Sequence, residues 1–174
     1  MTDQDSARAV AAHHRLTHLD EAGHARMVDV SAKTPSIREA IAQADVHMLP
    51  ETLTAIREQT LRKGDVLAVA RVAAIQATKR TSELIPLCHP LALSAVEAQF
   101  VEIDEGTLRI LVTVRTTGVT GVEMEALVGA TVGALTVYDM CKAIDRGMVI
   151  RDACLLKKSG GKSGLYERHQ EVPR

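Results

Sequence analysis

An α+β fold, with helices packed on an antiparallel sheet, is predicted by three observations. A hairpin signal lies at 95–116, where two apolar, strand-like runs meet at Asp104-Glu105-Gly106. Helix-start chemistry stands on both sides of it, at Pro50-Glu51 and Asp65 before and at Gly118 and Gly121 after. Strand-like and helix-like segments interleave along 174 residues with no internal repeat and no linker, which suits one domain.

Taken in order, residues 1–20 are rich in Ala, His and charge without a period, and are expected to form a mobile arm. Residues 21–166 are expected to form a single domain and residues 167–174 a loose tail. Met27 to Val30 reads as a short strand. After Pro35, Ile37, Glu39, Ile41 and Gln43 alternate apolar with polar, as a half-buried strand does. Pro50 and Glu51 start a helix that is expected to run to about Arg62 and stop at Gly64. Asp65 can cap the next helix, which carries Val66, Val69, Ala73 and Ala77 along one side and Lys79 and Arg80 near its C-terminal end. Pro86 and Pro90 stiffen a loop holding Cys88 and His89. The hairpin strands are Ala95 to Ile103 and Leu108 to Thr116. The longest helix is expected over Val122 to Asp145, broken by Gly147, and Met148 to Leu156 reads as the last strand. The resulting order, β-β-α-α-β-β-α-β, favours a ferredoxin-like α+β sandwich over a doubly wound sheet.

Composition removes several functional classes. With one Phe, two Tyr and no Trp, the chain lacks the aromatic platforms that stack single-stranded nucleic acid. A net charge of −1 supplies no global basic field for a polyanion, so any anion site must be local. Cys88, Cys141 and Cys154 are odd in number and unpaired in spacing, which argues against a disulfide framework and fits a reducing compartment. No apolar run approaches the ~18 residues that span a membrane, and the first fifteen residues lack the apolar core of a secretory signal. A cytoplasmic protein binding neither nucleic acid nor membrane is expected.

The chemistry-bearing residues cluster beside turns and helix ends: Lys63-Gly64-Asp65, Leu87-Cys88-His89-Pro90, Glu123-Met124-Glu125, Asp139 with Lys142, and Lys158-Ser159-Gly160-Gly161-Lys162-Ser163-Gly164. Each has an ordinary explanation. Asp139 and Lys142, three apart on a helix, make an ion pair worth a few tenths of a kcal/mol. Tyr138, Met140, Cys141 and Ile144 make that helix end largely apolar, and a half-buried Asp/Lys pair can serve as acid and base. Glu123 and Glu125 suit the positive end of a helix dipole. His89 is either a loop histidine or a phosphate contact and proton donor; no second pair at ligand spacing supports zinc beside Cys88. The 158–164 run is not a Walker A loop, because Leu156 stands where its first glycine belongs. Two lysines and three glycines nevertheless let backbone approach an anion closely. Gly129 and Gly133, with Ala126, Ala130 and Ala134, let a neighbour approach the long helix, most commonly the chain's own sheet. Glu125 and Asp139 are fourteen residues apart, roughly 320° around the helix and about 21 Å along it. If both serve one small substrate, the site combines different subunits or binds an elongated ligand.

These segments together resemble the molybdenum cofactor biosynthesis protein C family, the cyclic pyranopterin monophosphate synthases. The resemblance runs from Met27-Val28-Asp29-Val30-Ser31 to Lys162-Ser163-Gly164. It rests most on Lys79-Arg80-Thr81, Leu84-Ile85-Pro86-Leu87-Cys88-His89-Pro90 and Gly121-Val122-Glu123-Met124-Glu125-Ala126-Leu127. It implies a ferredoxin-like subunit in a homohexamer, a trimer of dimers with active sites at subunit interfaces. It also implies conversion of (8S)-3′,8-cyclo-7,8-dihydroguanosine 5′-triphosphate to cyclic pyranopterin monophosphate and diphosphate. The resemblance carries catalytic roles onto Asp139, Lys142 and Lys63, and substrate binding onto Leu87, Cys88, His89, Met124, Glu125, Glu123, Lys158, Arg38 and Lys162. It implies no metal ligand in the protein and no required cofactor, although Mg²⁺ can accompany the triphosphate. A nucleotide phosphohydrolase and a non-catalytic docking module are the competing readings.

Overall fold

A computed structural model describes residues 22–168. In chain order the elements are β1 (Ser36–His47), α1 (Pro50–Arg57), α2 (Val66–Lys79), α3 (Thr81–Leu84), β2 (Ala95–Asp104), β3 (Thr107–Gly118), α4 (Glu123–Cys141), β4 (Val149–Ser159) and β5 (Tyr166–Glu167). The strands form one antiparallel sheet in the order β2-β3-β1-β4-β5. Leaving β5 aside, this is the split β-α-β arrangement of a ferredoxin-like fold, with β1 and β3 at its centre.

Alternation on the central strands decides which face is covered. Ala40, Ala42, Ala44 and Val46 of β1 and Leu108, Ile110, Val112 and Val114 of β3 are buried against the helices. The residues between them point to the other face. Alanine on β1 and small residues on α4 bring the layers close. At Gly129 an added Cβ would lie 3.1 Å from Val112 and 3.2 Å from the Thr78 hydroxyl, and at Gly133 it would lie 3.2 Å from Ile110. The small-residue face of α4 is therefore spent within the chain, on β3 and α2.

Local chemistry sets the helix limits. Pro50 occupies the first turn of α1, and Asp65 caps α2 by accepting from the Ala68 amide at 2.9 Å. Asp145, past the end of α4, is buried and accepts from the Leu49 amide (2.9 Å) and the Thr52 hydroxyl (3.3 Å). It thereby ties the exit of α4 to the start of α1.

Several expectations are corrected. Residues 27–30 are not a strand: Asp29 accepts from the Ser31 amide and hydroxyl, an Asx turn that competes with ladder pairing. Helix α1 ends at Arg57, five residues early. Gln59 adopts φ +55°, its amide bonds to the Ile56 carbonyl, and the Thr60 amide bonds to the Ala55 carbonyl. That is a Schellman closure with glutamine where glycine is usual, which hides the stop signal. The buried stripe of α2 is Val66, Ala70, Ala74 and Ala77, while Val69 faces solvent. Helix α4 closes at Cys141 rather than Asp145, and β4 extends to Ser159. The chain does not loosen at Glu167: β5 pairs with β4, and the Arg168 amide donates to the Leu156 carbonyl at 2.8 Å. The arm expected at 1–20 and the tail beyond Arg168 lie outside the described residues.

Candidate functional site

The sequence-predicted site residues fall into two groups, one at each end of α4. At the C-terminal end, Lys142 approaches Asp139 from one turn on, Nζ to Oδ1 2.7 Å. Lys63 reaches the same residue from the turn that Gly64 makes possible at φ +88°. Its Nζ donates to the Asp139 carbonyl oxygen at 2.7 Å and to Oδ2 at 3.2 Å. The hydrogen bond from Lys142, and then that from Lys63, hold the Asp139 carboxyl below the usual carboxylate range. The expected half-burial is corrected: the Asp139 side chain is 59% exposed in the single chain. Met140 and Cys141 are buried beside it, but Ile144 is exposed. The Asp139 carboxylate thus holds the amino groups of Lys63 and Lys142 side by side. Beneath it the Cys141 thiol is pushed up to about 11, first by burial and then by Asp145, so it stays protonated at neutral pH.

At the N-terminal end, two adjoining cavities hold every residue expected to bind substrate. The larger, about 600 Å³, is lined by Arg38, Glu123, Lys158, Gly160, Gly161 and Lys162, joined by Lys33 and Ser36. Gly160 and Gly161 adopt φ +92° and +73°, and a Cβ on either would collide with the Ile37 carbonyl or the Arg38 guanidinium. The positive φ favours glycine at both positions, and at Gly160 the Ile37 backbone leaves no room for a Cβ either. Arg38 is steadied by the Gly118 carbonyl (3.4 Å), and Lys158 by Glu123 (3.4 Å) and the Ser163 hydroxyl. This wall carries four cations, Lys33, Arg38, Lys158 and Lys162, against two carboxylates, Glu39 and Glu123.

The smaller cavity, about 300 Å³, is lined by Leu87, Cys88, His89, Met124 and Glu125 and shares Lys33, Thr120, Gly121 and Glu123 with the larger. His89 Nε2 lies 2.9 Å from the Val28 carbonyl oxygen, which only accepts, so Nε2 carries hydrogen. Burial, and then the charge of Glu125, push the Cys88 thiol up. Glu125 is only 4% exposed, and burial, with Glu123 adding, raises its carboxyl above the usual glutamate range. A raised carboxylic acid destabilises the fold where it ionises and ceases to do so as pH falls from its raised value through the ordinary one. Glu125→Gln is therefore expected to raise the melting temperature at pH 7–8, with the gain vanishing near pH 4, while substrate affinity falls. Thermal melts across that range check it, and equal melting at pH 8 would refute it.

Lys33 and Ser36 escaped the sequence reading. Lys33 stands in both cavities, and the Ser36 hydroxyl is buried without a hydrogen-bond partner. A lone lysine and serine in a polar loop give no periodic or motif signal. None of the three catalytic candidates lines either cavity. Glu125 and Asp139 stand fourteen positions apart on α4, about 21 Å of helix.

Residues 27–161 match the MoaC family. The chain is 56% identical over 154 residues to the cyclic pyranopterin monophosphate synthase of Thermoanaerobacter pseudethanolicus, covering 88% of this chain and 98% of that one. It is 55% identical over 157 residues to the enzyme of the same name from Brevibacillus brevis, covering 90% and 98%. With the matched span holding both ends of α4, the smaller cavity and all of the larger one's lining except Lys162 and Ser163, the chain belongs to the MoaC family.

Proposed function

We propose that this chain is a cyclic pyranopterin monophosphate synthase of molybdenum cofactor biosynthesis, acting on (8S)-3′,8-cyclo-7,8-dihydroguanosine 5′-triphosphate. The observation that carries this reading is the joined pair of cavities, one walled by four cations and the other ending on a buried carboxyl. That arrangement suits a molecule with a triphosphate at one end and a guanidine-like edge at the other.

In the proposal, Lys33, Arg38, Lys158 and Lys162 face the triphosphate with the Gly160-Gly161 backbone. A sugar hydroxyl attacks the α-phosphorus, diphosphate leaves, and the cations offset the charge on the leaving group. Glu123 and Glu125 accept N–H bonds from the base edge. Leu87, Cys88, His89 and Met124 wall the ring. Ring opening and reclosure as a pterin need several proton transfers, assigned to Lys63 and Lys142, with Asp139 holding them in register. Because Asp139, which both lysines contact, lies about 21 Å along α4 from Glu125, the working site takes the three from a second copy of the chain. A homohexamer built as a trimer of dimers supplies that copy, in the cytoplasm. No resident cofactor or protein-bound metal enters the proposal; Mg²⁺ travelling with the triphosphate is part of the substrate.

The test is turnover of freshly prepared substrate by the full chain, following diphosphate and the oxidised fluorescent pterin, with Asp139→Asn as control. Both products are expected together, with rates about 10²–10⁴-fold lower in the control. Diphosphate without pterin would indicate a phosphohydrolase. Neither product, from a folded oligomer, would leave a binding module.

A further inference from the structure

On the sheet face turned away from the helices, Asp45 and His47 stand two apart on β1 and so point the same way. Across from them, the pairing of β1 with β4 passes from Gln43↔Cys154 to Asp45↔Arg151, a bulge that leaves Asp152 and Ala153 opposite Ala44. Asp152 sits in that bulge at φ +55°. One ring nitrogen of His47 and one carboxylate oxygen from each aspartate lie within 4.8 Å of one another.

The histidine's hydrogen-bonding fixes its ring. The Thr107 hydroxyl donates its single proton to Asp104 Oδ2 at 3.0 Å and lies 3.1 Å from His47 Nδ1. That hydroxyl can therefore only accept from the ring, and Nδ1 carries the hydrogen. Nε2 is the nitrogen left over. It is buried and has no hydrogen-bond partner. On a neutral ring it is an unused lone pair beside two carboxylates, each paired with an arginine (Asp45 with Arg109, Asp152 with Arg151), and a nitrogen donor of that kind can take a metal ion.

We propose that Asp45, His47 and Asp152 form a site for a divalent cation of the zinc type, joining β1 to β4 across the bulge. One nitrogen and two carboxylate oxygens are a donor set such a cation accepts, and three protein ligands leave a position open to water. Ligand atoms around zinc stand about 3.4 Å apart, so the exposed Asp152 side chain closes in when the ion binds. The supporting partners of a metal centre are present. The Asp104–Thr107 relay orients the ring, and Arg109 holds both Asp45 oxygens at 2.8 and 2.7 Å. The arginine uses one lone pair on each oxygen and leaves the other. The contact of Asp152 with Arg151 is an exposed pair at 3.4 Å, which an ion displaces easily. The site is independent of the proposed function: Asp45 is seven residues from Arg38 on the same strand, about 23 Å.

The test is calorimetric titration of the full chain, stripped of metal, with Zn²⁺, beside Asp152→Asn and His47→Gln. Asparagine tolerates the positive φ at 152, so that variant keeps its fold even if the histidine variant does not. One ion per chain is expected, with affinity at least tenfold weaker in Asp152→Asn and a zinc-dependent rise in melting temperature only in the parent protein. The chain carries seven histidines, so unchanged affinity in the variants would place the ion elsewhere and overturn the proposal. So would absence of binding with a His47 ring found protonated at neutral pH by NMR, since a proton would then be the missing cation.

Discussion

Co-assembling Asp139→Asn subunits with Lys158→Ala subunits is expected to restore turnover that neither homogeneous protein has. In the proposed reading each substitution disables one half of the site: the lysine-holding carboxylate at the end of α4 in the first, a triphosphate-facing cation on β4 in the second. Losses of about 10²–10⁴-fold for the first and ~10²–10³-fold for the second are the expected scale for a positioned acid–base group and a charge-stabilising donor. If the working site draws its two halves from two copies, random mixing at equal amounts leaves about a quarter of sites with both halves intact. Recovery of roughly that fraction of parental rate is the expected result, read in oligomers whose mixed composition is established by native mass spectrometry. Mixed oligomers with no recovery would put the whole site within one chain.

Arg109→Ala is expected to cost about 3 kcal/mol of stability. Asp45 is 3% exposed on β1, and the Arg109 fork is the cation that matches both of its oxygens. The guanidinium is held above its usual range mainly by that hydrogen-bonded carboxylate. Removing it leaves a buried charge uncompensated, which costs more than the intact pair contributes. For a chain of this length the drop in melting temperature is about 6–12 °C. The double substitution Asp45→Ala with Arg109→Ala is expected to recover part of the loss, because the orphaned charge is gone. A single substitution that melts within 1–2 °C of the parent would mean that water already reaches Asp45.

Elements with a local chemical signature were legible in the sequence. Pro50, the Asp65 cap and Asp104 in the turn at Asp104-Glu105-Gly106 each fix the backbone by their own side chains, and each is found as expected. Misreadings arose where tertiary context or an atypical residue decides. Gln59 closes α1 in a conformation glycine normally takes. Asp29 turns a run that reads as a strand. The two residues of β5 exist only because β4 offers them an edge. The site divides along the same line. Nine residues were picked out as binding candidates, through the family resemblance, and the fold gathers all nine around two joined cavities. Lys33 and Ser36 were not, since nothing beside them in the chain marks them. The Asp139 pair was legible as a contact but not in its exposure, because exposure depends on what lies over the end of the helix.

Helix α4 also acts as a ruler. It spans Glu123 to Cys141 without a break, with one group of candidate site residues at its first turn and another at its last. Inserting a single residue between them would turn one end by ~100° relative to the other and lengthen the rod by about 1.5 Å. In the proposed assembly every composite site would lose alignment at once, although the monomer's own caps and turns were untouched. The middle of α4 is thus constrained in residue count as well as in side-chain size, since a Cβ at Gly129 or Gly133 would already press on Val112 or Ile110.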